Sequence, residues 1–379
     1  MPFPREARWL AALTAFALAF ELTARVEDWV RYGMPLHSPY RSESDLMVRD
    51  SLGMHGRAGA RYLKWQMNAL GMRGPEVPAA RRPQVLRVVA TGASEMFGQS
   101  ESPGQEFPRQ LEDSLRARLP GSGLPFTDVE VLNAAFFGMS LPTITQDVAL
   151  RLGGLRPDIV VLYPTTAQYL SDKPPAAAAP LAGAVPDVDP RGALKPRSAT
   201  RLREQLKRLA PRPLREWLWR QEYARAVDAH GPEWRFTALP GERIESFDQD
   251  LRAFVGAVRS IGAEPVLATH ANLFVGGSVA DSSLLMAWQR FYPRAEGRVI
   301  LEFDSAGADA TRRVASDSGV ALADIRSELQ GCEACFADYS HFSDQGAARA
   351  ADRMAGDLLT MLAARPVPAR SPSVVAAGS

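Results

Sequence analysis

Cysteine is scarce in this 379-residue chain: there are two, Cys332 and Cys335, forming a single CxxC in "GCEACFADYSHFS". A structural zinc site needs four ligands, so one pair without a second argues against it. A thioredoxin-like redox role needs the motif to open a helix after a strand, which this loop-like context does not supply. In an oxidising compartment the pair reads as a short local disulfide; in a reducing one it is two thiols. Histidine is nearly as scarce, at five, which leaves few candidates for a general base. An excess of charge is missing as well: the formal net charge is +1, and nothing in it points to nucleic acid. No solenoid-type repeat is visible. With 46% hydrophobic and 23% charged residues, the length fits one large domain with insertions or two smaller ones.

What is present begins with "MPFPREARWLAALTAFALAFELTARVEDW", where Arg5 and Arg8 precede an apolar run from Trp9 to Phe20. Basic residues before an apolar segment mark an export signal or signal anchor whose basic end stays in the cytoplasm. The run is short against the roughly 20 residues that span a bilayer, and Glu21 follows it directly. The alternative is an amphipathic helix of a soluble protein. The better-supported expectation places residues 1–30 as an export signal or membrane anchor. The rest of the chain would then be periplasmic on a bacterial inner membrane, or exported.

Residues 31–85 form an irregular lead-in punctuated by Gly71, Gly74 and Pro75. From "QVLRVVATG" onward strands and helices alternate. Phe107, Leu111, Leu115 and Leu119 recur at helical spacing. "VEVLNAAFFG" reads as a strand, "LPTITQDVALRLGGL" as a helix, and "PDIVVLYPT" as a strand buried on both faces of a parallel sheet. Residues 171–243 interrupt the alternation with a Pro/Ala-rich strap, then an Arg-rich stretch broken by Pro211 and Pro213. The helix–strand pattern then resumes, with Leu251, Phe254, Val255 and Val258 as one apolar stripe. A closing helix follows Ser343, a plausible N-cap, and the tail from about 363 reads as disordered. Strands alternating with helices over this length predict a doubly wound α/β fold with an insertion.

The chemistry concentrates at strand ends. "VVATGASEMFGQS" ends an apolar strand in Gly92-Ala93-Ser94, with Gly98 four residues on. Glycines there serve a tight turn or the close approach of backbone to a substrate, and a reactive serine needs the same geometry. A serine nucleophile needs a base, and the base an orienting group. His37 and His55 lie in the lead-in and His230 in the insertion; His270 follows a strand. His341 stands three residues after Asp338 in "ADYSHFSDQG", so one loop carries both an imidazole and a carboxylate. Taken singly, Ser94 reads as a helix cap and His341 as a surface histidine.

"GASEMFG", "NAAFFG" and "DYSHFSDQGAARAADRM", in this order, resemble the SGNH/GDSL hydrolase superfamily from about Val85 to Leu362. The resemblance implies a flavodoxin-like three-layer α/β/α sandwich over residues 86–362, with a parallel sheet, an inserted helical or irregular segment, and no metal or organic cofactor. It implies Ser94 as nucleophile, His341 as base and Asp338 as its orienter. The oxyanion donors would be the backbone N–H groups of Ser94 and Gly138. The sequence departs from the family in having Ala93 before the serine, where Asp is frequent, and in lacking the Asn of the third block. "VVLYPTTAQYL" offers Thr166 as the equivalent, with Gln168 as substitute. "MNALGMRGPEV" and the anchored layout look like members associated with bacterial exopolysaccharide biosynthesis.

The resemblance thus implies an extracytoplasmic serine esterase or O-acyltransferase acting on ester groups, O-acetyl above all, of a surface or exported polysaccharide. The alternatives are a lipase or lysophospholipase with an apolar groove lined by Trp217, Leu218 and Trp219, and a non-catalytic polysaccharide-binding or scaffold subunit. The expected partners are an acyl-ester or polysaccharide substrate and the membrane; the sequence leaves the oligomeric state open.

Overall fold

All eight residues of the strand Val85–Gly92 are buried, so this strand needs cover on both faces. The computed structural model, which describes residues 5–78, 82–183, 187–275 and 282–364, supplies it. Strands β1 (Val85–Gly92), β2 (Asp128–Asn133), β3 (Ile159–Tyr163), β4 (Glu264–Ala268) and β5 (Ala321–Ala323) form one sheet. Their order is β2-β1-β3-β4-β5, and every neighbouring pair is parallel. The longer helices are α1 (Arg5–Tyr32), α2 (Phe107–Arg118), α3 (Leu141–Leu150), α4 (Arg197–Leu209), α5 (Arg212–His230), α6 (Gly241–Ser260), α7 (Gly297–Ser318) and α8 (Asp344–Ala364). One face of the sheet is covered by α2 and α8, which pack on each other, and the other by α3, α6 and α7. This is the three-layer α/β/α sandwich that the alternation and the resemblance imply, with flavodoxin-like strand order. Sites in such sheets form at the carboxyl ends of the strands, where the winding reverses. Here that point lies between β1 and β3.

The lead-in is more regular than its glycines suggest. It makes two short hairpins, Met47–Asp50 with Gly53–Gly56 and Arg61–Tyr62 with Trp65–Gln66. Beyond them Arg73 is buried, and its guanidinium donates to Phe97 O at 2.7 Å. The lead-in thereby buttresses the turn that carries Ser94.

The sheet is interrupted after β3 by α4 and α5, which meet at Pro211 with Pro213 inside the first turn of α5. Helix α1 runs 28 residues, well past the apolar run, and is long and apolar enough to cross a membrane by length and composition. The groove expected for a lipase is not what the insertion builds. Trp217 and Leu218 stand exposed, and only Trp219 turns inward, beneath the Arg290 guanidinium. The expected disordered tail lies outside the described residues from 365 on.

Candidate active site

The serine turn is built by two glycines for two different reasons. At Gly92 a Cβ would stand 2.7 Å from Tyr163 O and from Met96 Cβ, so only glycine lets β1 end this close to β3. Gly98 has φ +87° and closes the single helical turn Ser94–Phe97 in the left-handed region. Ala93, not Ser94, occupies the cap position of that turn. The serine hydroxyl is therefore free of capping duty and half-buried at the sheet's edge.

The loop after Cys335 is a tight hairpin: Phe336 and Phe342 form a bridge, and Ala337 N donates to His341 O at 2.8 Å. Within it Asp338 Oδ1 accepts the backbone N–H groups of Ser340 and His341 at 3.0 and 2.9 Å. That turn sets the three-residue spacing so that the two side chains meet. His341 Nδ1 lies 2.8 Å from Asp338 Oδ2, and Nε2 lies 2.9 Å from Ser94 Oγ. Burial alone would lower the His341 pKa, but the hydrogen bond to Asp338 and the Glu95 and Asp338 charges outweigh it and raise it.

The hairpin is anchored below. Cys332 and Cys335 are joined as a disulfide, and Cys335 O accepts from Ser343 N at 3.0 Å. Ser343 caps α8, its Oγ accepting from Gly346 N at 3.1 Å. A Cβ at Gly346 would come within 1.9 Å of Cys335 O, so glycine is required where α8 passes the disulfide.

The backbone of β2 continues its pairing beyond Asn133: Ala134 N donates to Ala90 O and Phe136 N to Gly92 O. This carries Phe137 and Gly138 up beside the serine turn. Gly138 is exposed with φ +66°, and among the described residues its N–H and that of Ser94 have no protein acceptor. Thr166 is different from its expected role. It is fully buried, and its hydroxyl donates to Asp304 Oδ1 at 2.6 Å, so that proton is not available to an oxyanion. The physical reason is the 3-10 turn Thr166–Leu170, whose first residue points into the core. Gln168 is half-buried, with one amide hydrogen on Met139 O at 3.2 Å, next to Gly138.

Beneath the serine lies a charged network that sequence reading did not anticipate. Glu95 is buried, with Oε2 3.3 Å from Ser94 Oγ and 2.9 Å from Thr165 Oγ1. Its Oε1 accepts from Ser340 Oγ at 3.3 Å and lies 3.8 Å from His270 Nε2. His270 Nδ1 is 2.5 Å from Asp304 Oδ1. Neither contact has hydrogen-bond alignment, so the ring is held as an ion pair between two carboxylates. Asp304 Oδ2 also receives Asn272 Nδ2 and an Arg326 nitrogen, both at 2.6 Å. Burial favours neutral groups here, yet the charged forms win. The His270 contact and the His341 and His270 charges hold Glu95 well below its usual range. The Asp304 and Glu95 charges raise His270 above its own. The one local signal for this network was Glu95 itself, a carboxylate placed directly after a serine in a buried turn.

No three His, Cys, Asp or Glu side chains among the described residues are grouped to hold a metal ion. The serine, glycine and Asp-x-x-His blocks come together at the carboxyl edge of the sheet. No family model and no curated protein matches the chain. Solved structures that it resembles include a GDSL-like lipase from Parabacteroides merdae (11% identity, 74% of this chain and 98% of that one, TM-score 0.41). Another is the acetylxylan esterase Axe2 of Geobacillus stearothermophilus (12% identity, 72% and 94%, TM-score 0.40). A third is a lipolytic protein of the G-D-S-L family from Desulfitobacterium hafniense (12% identity, 72% and 98%, TM-score 0.40).

Proposed function

We propose that this chain is a serine esterase or O-acyltransferase of the SGNH type, acting on O-acyl groups, acetyl above all, of a surface or exported polysaccharide. The observation that carries the reading is the continuous line from Ser94 Oγ through the His341 ring to Asp338. In the proposed reaction Ser94 Oγ attacks the ester carbonyl while His341 Nε2 takes its proton. Asp338 holds the ring in the tautomer that leaves Nε2 free to accept, and stabilises the imidazolium that forms. The Ser94 and Gly138 N–H groups, with the second amide hydrogen of Gln168, receive the oxyanion. His341 then protonates the departing alcohol. Water or a sugar hydroxyl, deprotonated by the same ring, resolves the acyl-enzyme.

Three features support the finer reading. The half-buried serine beside the exposed Gly138 suits an ester carried on a large substrate better than a long acyl chain. The disulfide suits an oxidising compartment. Helix α1, with Arg5 and Arg8 at its start, suits a membrane anchor with the catalytic domain outside the cytoplasm. Purified protein should hydrolyse nitrophenyl acetate and release acetate from an acetylated polysaccharide, and Ser94→Ala should abolish both. Equal turnover by that variant would reject the assignment and favour a non-catalytic scaffold.

A further inference from the structure

The insertion leaves apolar surface open in an organised way. Leu202, Leu206 and Leu209 share one face of α4 and are 52%, 59% and 76% exposed. Across the proline joint, Leu214, Trp217 and Leu218 continue the pattern on α5 and are also exposed. Six large apolar side chains in 17 residues exceed what a soluble monomer ordinarily leaves in water. The surroundings of this face are cationic: residues 195–230 hold ten Lys and Arg against four Asp and Glu, in a chain whose net charge is +1.

The position of this segment is fixed by α1. Glu21, the charge that follows the apolar run, accepts the backbone N–H groups of Arg197 and Ser198 at 3.0 and 2.9 Å. A carboxylate thus sits on the N-terminus of α4, where the helix dipole favours it. Arg25 bridges Glu21 at 2.6 Å and donates to Ala193 O at 2.9 Å. Arg197 pairs with the buried Asp28 at 3.1 Å, and Arg201 reaches both Glu27 and Asp28. Every one of these acidic residues lies on α1 just beyond Phe20. The insertion therefore satisfies the charges of α1 from the end of its apolar run onward, with α4 starting at Glu21 and running along Glu27 and Asp28.

We infer that α4 and α5 form a foot that lies on an anionic phospholipid surface, next to where α1 leaves the bilayer. Leucines and Trp217 enter the headgroup–acyl boundary, and the arginines flank them at the phosphates. Apolar residues at helical spacing with Lys and Arg interspersed are the composition of an interfacial helix. The occupant is a lipid surface because the open face belongs to a segment that α1 holds from the end of its apolar run onward and because its charge complements anionic headgroups. The inference rests on the reading of α1 as a membrane span, and it makes the 171–243 insertion the element that sets the catalytic domain's height and tilt over the membrane.

The test uses full-length protein in phosphatidylglycerol-containing vesicles, with an environment-sensitive fluorophore on single introduced cysteines; Cys332 and Cys335, being disulfide-bonded, do not react. Three positions are compared: Leu206→Cys on the foot, Phe16→Cys in the span and Asp309→Cys on the far surface of α7. The expected result is a blue-shifted Leu206 label quenched best by lipids spin-labelled near the headgroup. The Phe16 label should be quenched by deep labels, and the Asp309 label should report water. Replacing the anionic lipid with phosphatidylcholine should weaken the Leu206 signal. A Leu206 label that reports water while Phe16 is deep overturns the foot alone. A Leu206 shift that follows protein concentration rather than lipid assigns the face to a second copy and overturns it too. Water at Phe16 removes the span, and with it a foot placed beside α1, whatever the Leu206 label reports.

Discussion

Replacing Glu95 by Gln removes one negative charge beneath the serine at nearly constant shape, keeping one of the two oxygens to which Thr165 and Ser340 donate. Glu95 and the His341 ring both touch Ser94 Oγ, at 3.3 and 2.9 Å. Their facing atoms are therefore at most about 6 Å apart, where unit charges at an effective dielectric of about 20 interact by about 2.8 kcal/mol. That corresponds to about 2 pH units. Losing Glu95 also lowers the His270 pKa, and a His270 that gives up its proton removes a nearby positive charge and offsets part of this, so the expected net effect is about 1 unit. Asp338, the other carboxylate on the ring, is untouched. Glu101, whose charge also reaches His341, is pushed up to about 8 by burial, so it carries little charge at neutral pH. In the proposed mechanism His341 must be neutral to accept the serine proton, so activity is expected to fall as pH drops through its raised pKa. Glu95→Gln should move this acid limb of kcat/KM for nitrophenyl acetate to lower pH by about 1 unit. A folded variant, verified by its unchanged circular dichroism, whose limb moves by less than about 0.3 unit would refute the coupling.

Asp304→Ala strips the buried His270 and Arg326 charges of their shared carboxylate, and loss of one partner in such a network costs about 3–5 kcal/mol; thermal melting should show a large fall in Tm. Cys332→Ser with Cys335→Ser opens a very short ring, so Tm should shift only slightly. Ester turnover should fall clearly, because the ring positions the hairpin carrying Asp338 and His341; unchanged turnover would contradict this. Glu101 is held protonated in the fold to about pH 8, whereas in the unfolded chain it ionises near its ordinary value, so its burial costs stability progressively as pH rises between those limits. Glu101→Gln should therefore gain stability relative to the parent between pH 5 and 8, read as a widening Tm difference; a difference independent of pH would oppose the assignment.

The parts of the site legible in the sequence are those encoded locally. Ser94 was marked by the strand and its two glycines, and Asp338 and His341 by a spacing that a single turn converts into contact. The layers were legible because strands buried on both faces read as continuous apolar runs. The Glu95, His270, Asp304 and Arg326 network was not legible, because its members come from four separate segments with no common spacing. Only the sheet order brings the end of β4 against the serine turn. Thr166 was misplaced by a different mechanism: adjacent residues at a strand end point in opposite directions, and the turn that follows sends Thr166 inward and leaves Thr165 at the site. The role of Glu21 was hidden for a third reason, since its partners, the N–H groups at the start of α4, lie far away in sequence.

The central claim is that Ser94 is a nucleophile activated by His341. It is tested most directly by incubating the full-length protein with a fluorophosphonate probe and identifying the labelled peptide by mass spectrometry. One phosphonylated residue is expected, Ser94, with labelling abolished in Ser94→Ala and strongly slowed in His341→Ala. Labelling at another serine, or none in folded protein, would contradict it.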